Sequence, residues 1–173
     1  MYPIIRRLVM RTIAWYSLFA WISLIVSLLY TAIVTPTLVI RYYNLYRDIE
    51  AVAHRAQVAA DADAMILYLT TLQNNMVQHR MTEGHSALVF KSPANDLSEL
   101  YDSIGRIIGS LEEIKDLPET DAAYQQGLDD KRGTVRELED PSLGFLWVQN
   151  WILILLYFIW IWPTFHFYRF DFL

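Results

Sequence analysis

Two long stretches of the chain carry no charge, and the pattern elsewhere is organised around them. Thr12 to Ile40 runs 29 residues without Asp, Glu, Lys, Arg or His, between Arg11 and Arg41. Pro141 to Thr164 repeats this near the other end. About 20 apolar residues let a helix cross a hydrocarbon core roughly 30 Å thick. Both stretches therefore predict transmembrane helices, and the segment between them is expected outside the bilayer on one side. The predicted fold class is an all-α membrane protein. Its expected parts are a cytoplasmic segment over 1–11, a first span over 12–40, an extracytoplasmic helical domain over 41–140, a second span over 141–164, and a cytoplasmic aromatic tail over 165–173.

Within the first span, Trp15, Tyr16 and Trp21 lie toward one end, and Tyr42 and Tyr43 mark the other, where aromatic belts sit. Pro36 removes a backbone hydrogen bond and predicts a kink. Ser17, Ser23 and Ser27 are small enough to face a partner helix. Asp140-Pro141 opens the second span, whose apolar core Phe145 to Trp162 is rich in aromatics, including Trp147, Trp151, Trp160 and Trp162. Asn150 lies within it and is expected to hydrogen-bond across to a helix of this or another subunit. Pro163 is expected to end or kink this span, with Phe165 to Phe172 lying along the inner interface.

Between the spans the apolar positions follow helical periods. Tyr42, Leu45, Ile49, Val52, Ala56 and Ala59 recur at 3-4-3-4-3 spacing, a coiled-coil seam, and Ile66, Leu69, Leu72 and Met76 continue the apolar side. The alanine-rich stretch 51–64 favours helix and close helix approach. One long helix is expected over about 41–80. Residues 81–95 read as a loop punctuated by Gly84, Ser92, Pro93 and Asn95. Asn95 or Asp96 caps a second helix with Glu99 in its first turn, and Leu97, Leu100, Ile104, Ile107, Leu111 and Ile114 form its seam. Leu117-Pro118 breaks it, and a weaker helix follows over about 119–139. Two shorter helices hinged at Pro118 together match the length of the long one. The expected arrangement is a helical hairpin with the 81–95 loop at its far tip; a break near Asp61–Asp63 would instead give a compact four-helix bundle.

Charge sets the orientation. Arg6, Arg7 and Arg11 stand without an acid before the first span, whereas residues 41–142 hold ten Lys/Arg against eighteen Asp/Glu. Basic short flanks stay cytoplasmic, so both termini are expected inside and the acidic domain outside, as in a bacterial inner-membrane protein. The first apolar stretch is nearly twice the length of a signal-peptide core and lacks a small-x-small site, so it reads as an uncleaved anchor. No basic stripe is available to neutralise nucleic-acid phosphates. The chain has no cysteine, which excludes disulfides, thiolate metal sites and cysteine nucleophiles.

Candidate chemistry is sparse. Met76, His79, Met81 and His85 fall within ten residues, and thioether plus imidazole suits copper(I). The competing reading is a seam methionine beside solvated histidines, and no metal or cofactor is expected. His166 lies beyond Pro163 and reads as interfacial, not as a haem ligand. His54, Asp61 and Asp63 offer a histidine and carboxylates without a nucleophile or oxyanion donors, which reads as a solvated helix face. Leu88, Val89 and Phe90 either fold back over the hairpin or present an apolar docking patch.

Function follows from this inventory. A slender hairpin buries little core, and two aromatic spans offer more surface than they use on each other. The chain is expected to be a non-catalytic accessory subunit of a larger energy-converting or transport assembly. Its partners would be the lipid bilayer, other membrane subunits through Leu88, Val89, Phe90, Asn150 and the tryptophans, and a second copy through the seam. One alternative is a sensory input module, whose span–helices–span layout resembles the sensor half of chemoreceptors and sensor kinases without a shared motif. In that case only ten residues follow Pro163, so a signal would pass to a separate protein. A second alternative is copper handling at the Met/His cluster.

Overall fold

The structure, a computed structural model, describes the backbone of residues 2–138 and 140–171, and the side chains of 15, 18, 19, 21–138, 140–159 and 162. The molecule is all-helical: 80% of the chain is helix, with no strand among the described residues. Among the described residues six α-helices follow in order: α1 (Tyr2–Leu45), α2 (Ala51–Gln57), α3 (Ala62–Gln78), α4 (Leu97–Ile114), α5 (Ala122–Glu137) and α6 (Ser142–Asp171). A π-helical turn, Tyr46–Glu50, joins α1 to α2, and a 3-10 turn, Pro93–Asn95, precedes α4. Two helices are long and apolar enough to cross a membrane.

The chain forms two compact units. The first joins residues up to 39 with those from 150 onward. Here the Tyr30 hydroxyl donates to the Leu153 carbonyl at 2.7 Å, and its ring lies 6.3 Å from that of Tyr157. Ser23 and Asn150 are buried. Pro36 and Pro163 both lie inside continuous helix, so neither ends its element. Thr31 and Thr37 hydroxyls donate to the carbonyls four residues back, Ser27 and Ile33. The tail expected along an interface continues as α6 to Asp171, and its side chains, with His166, lie outside the described residues.

The second unit, residues 40–149, departs from the expected hairpin. The single helix expected over 41–80 is interrupted at 58–61, where the chain reverses. Asp61 is in extended conformation and its carboxylate accepts from the Ala64 amide at 2.7 Å, an N-cap that starts α3 afresh. The reversal is held from outside: the Arg132 guanidinium of α5 donates to the Ala59 carbonyl and, at 3.2 Å, to that of Ala60. Antiparallel pairing then follows. At the other end of α3, the Asn75 amide donates to the Asp48 carbonyl at 2.7 Å and His79 Nε2 lies 3.0 Å from Asp48 Oδ2.

The helix α4 returns along α3, with the Gln73 amide donating to the Tyr101 carbonyl at 3.2 Å. Its N-cap is Asp96, which accepts from the Ser98 amide. A turn over 115–121 contains Pro118 and reverses the chain into α5; Pro118 is thus part of a reversal and not a hinge between two collinear helices. In α5 the Tyr124 hydroxyl accepts the Ala62 amide at 2.9 Å, tying this helix to the start of α3. Helices α2, α3, α4 and α5 each pack on two of the others, which closes a four-helix bundle.

The seam residues meet at the bundle centre. Ile49, Ala56, Leu69, Leu72, Met76, Leu97, Ile104, Ile107 and Leu111 are buried there with Met65, Tyr124, Leu128 and Val135, whereas Tyr42 is exposed and Met65 takes the buried place expected of half-buried Ile66. Each large aliphatic side chain removed from water contributes roughly 1.5–3 kcal/mol. The bundle thus has its own core, which a slender hairpin would lack. One further consequence concerns the 79–96 connection. It lies at the end of the bundle where the chain arrives from α1 and leaves into α6, not at a far tip: His79 reaches Asp48, and the Ser86 carbonyl rests on Gly144 of α6. A Cβ at Gly144 would collide with that carbonyl, so only glycine permits the contact.

Candidate functional site

The bundle is not packed solid throughout. A cavity of about 290 Å³ opens among the π-helical turn, α2, α3, α4 and the end of α5. Ile49, Leu72, Met76, Leu100, Ile104 and Val135 give it apolar walls. Glu50, His54, Gln57 and Asp140 supply its polar groups. An apolar pocket with a few convergent polar groups is the usual form of a small-molecule site. Two features of the sequence create it. The π-helical turn at Tyr46–Glu50 widens the helix by one residue just where Glu50 sits, and such turns recur at functional positions. Asp140-Pro141 then brings a second carboxylate up to the first as α5 gives way to α6.

The neutral form of Glu50 is favoured at this position relative to an ordinary glutamate. Burial raises its pKa, a hydrogen bond with Asp140 and that carboxylate's charge add to it, and together they push it from 4.5 to about 7. The neighbouring Asp140 carboxylate thus disfavours ionisation of Glu50. Elsewhere in the same unit the opposite holds. The Arg47 guanidinium, 2.7 Å from Asp48, holds that carboxylate below its usual range, with His79 assisting.

The residues singled out from the sequence separate into several places. Met76 and Met81 are buried in the core, Met76 as a wall of the cavity. His79 faces Asp48, and His85 Nε2 stands 3.9 Å from Asp96 Oδ2. Among the described residues no group of three or more His, Cys, Asp or Glu side chains is placed to hold a metal. His54 lines the cavity, whereas Asp61 caps α3 and Asp63 lies in its first turn. Leu88, Val89 and Phe90 are exposed, Phe90 at 86%. Asn150 is buried and partnered. Trp147, Trp151 and Trp162 are exposed; the Trp160 side chain lies outside the described residues.

Glu50 and Asp140 escape a reading of the sequence alone, because each looks like an ordinary acid at the flank of an apolar stretch. The one signal was Asp140-Pro141, which reads as a helix start and not as half of a pair. Comparisons of the chain with protein-family models, with curated proteins and with solved structures yield no match.

Proposed function

We propose that the protein is a non-catalytic accessory subunit of a larger membrane assembly. In this reading α1 and α6 cross the bilayer, the bundle stands on the extracytoplasmic side, and both termini are cytoplasmic. One observation carries it. Along α6 the large side chains Leu143, Trp147, Trp151, Leu155, Phe158 and Trp162 are exposed at 4-4-4-3-4 spacing, a continuous stripe on one face. Lipid-facing tryptophan concentrates at the two membrane interfaces. Trp151 instead lies ten residues into the charge-free stretch, about 15 Å along the helix and close to mid-depth. Rigid aromatic surface at that depth suits packing against another helix.

The experiment is purification of the tagged full chain from its native membrane in mild detergent, with identification of co-eluting proteins. Stoichiometric recovery with a larger assembly is expected, and Trp151→Leu is expected to weaken it while helix content is kept. Elution of the wild-type chain alone or as a homodimer would refute the reading.

The cavity favours a second reading, a ligand-binding input module that signals through a partner. It is distinguished by direct binding of small apolar amines or acids to the purified chain, with loss of binding in Leu100→Trp, which fills the cavity.

A further inference from the structure

We propose that the Leu88-Val89-Phe90 loop tip is a membrane-contacting wedge, which seats the four-helix bundle on the lipid surface from which its flanking helices emerge. The inference rests on the membrane reading of α1 and α6 given above and adds to it a contact made by the bundle itself.

The first support is position. The Ser86 carbonyl lies against Gly144 in the first turn of α6, and the charge-free stretch begins at Pro141. On the other side of the loop, His79 pairs with Asp48, seven residues beyond Arg41, where the first charge-free stretch ends. Phe90 is four residues from Ser86, a reach of at most about 14 Å. The loop is therefore held at the end of the bundle where both apolar helices join it.

The second support is that the loop is built to hold its apolar tip outward. Asn95 clamps it with both ends of its amide: Oδ1 accepts from the Ser92 amide at 3.1 Å and Nδ2 donates to the Phe90 carbonyl at 2.7 Å. The Ser86 amide donates to the Asn95 carbonyl and the Leu97 amide to that of Gly84, both at 2.9 Å, around an antiparallel bridge between His85 and Asp96. Gly84 adopts φ 90°, which closes the turn. The backbone is thus tied on both sides of the triplet, and Leu88, Val89 and Phe90 stand 48%, 78% and 86% exposed.

The third support is chemistry. Three consecutive large apolar side chains in water are unfavourable, and an acyl–headgroup boundary accepts them together with an adjacent cation. Exposed Lys91 follows Phe90 directly and can reach lipid phosphate. The occupant that fits is a phospholipid surface.

The absence of native cysteine makes the test clean. Single cysteines replacing Phe90, Leu29 and Val58 are spin-labelled in the full chain, reconstituted into phosphatidylcholine–phosphatidylglycerol vesicles. Collision with oxygen and with a water-soluble nickel chelate then reports depth. Leu29 lies in the first apolar stretch, and Val58, 70% exposed, in the reversal at the opposite end of the bundle. The expected result is a deep label at 29, an aqueous label at 58, and a label at 90 shielded several-fold from the chelate at shallow depth. A deep label at 29 with a label at 90 as accessible to the chelate as that at 58 would overturn the wedge and leave the membrane reading standing. An aqueous label at 29 would overturn both. A Val89→Cys label serves as a second reporter, and helix content confirms that each variant folds.

Discussion

Glu50 makes the stability of the bundle depend on pH in a direction that can be worked out. In the unfolded chain it titrates at its ordinary 4.5, and in the folded bundle at about 7. Below pH 4.5 it is protonated in both states and contributes no pH dependence. Between the two values the folded state holds a proton that the unfolded state has released, so stability falls as pH rises. Above about pH 7 both states are ionised and the loss is complete. At about 1.4 kcal/mol per pH unit, the interval corresponds to about 3 kcal/mol. Partial exposure of Glu50 to solvent reduces this to about 2 kcal/mol.

The perturbation is Glu50→Gln, which keeps the shape and removes the charge. The assay is urea unfolding of the full chain in mild detergent, followed by far-ultraviolet circular dichroism. The difference between wild type and variant isolates Glu50 from other titrating groups. The variant is expected to gain about 2 kcal/mol over wild type on going from pH 4.5 to pH 8. Parallel profiles for the two proteins across that range would refute the reasoning.

Three further outcomes test the packing. Tyr124→Phe removes the acceptor of the Ala62 amide and is expected to cost about 1–2 kcal/mol in the same urea assay, with no change in helix content. Asp61→Ala removes the cap that restarts α3; a loss of about 1 kcal/mol is expected, while Asp63→Ala, in the first turn, is expected to cost less. Gly144→Ala drives the Ser86 carbonyl off α6, and hydrogen exchange of the Ser86 and Leu97 amides is expected to accelerate by an order of magnitude or more, with the α3 and α5 amides unchanged.

The loop illustrates how one local event relocates a whole segment. With a continuous helix over 41–80, residues 81–95 would stand about 60 Å along the chain from Arg41. The Asp61 cap and the Ala59 and Ala60 carbonyls held by Arg132 halve that helix, and the loop returns to Gly144. Asp61 was visible in the sequence as a candidate break. Arg132, 71 residues later, was not visible as its partner.

By itself the sequence determined the helical class, the two long apolar helices, a cap at Asn95 or Asp96 and most of the core. Periodicity carries that information: each seam residue from Ile49 to Val135 has to be apolar wherever its helix packs. What only the tertiary structure decided is the order in which the helices double back, and hence which residues meet. Antiparallel pairing depends on caps and reversals a few residues long, whose partners lie on other helices. The cavity arises the same way, because Glu50 and Asp140 are 90 residues apart and become a pair only when α5 returns beside the π-helical turn. Local pattern fixes what each helix can bury, and the closing of the bundle fixes against what.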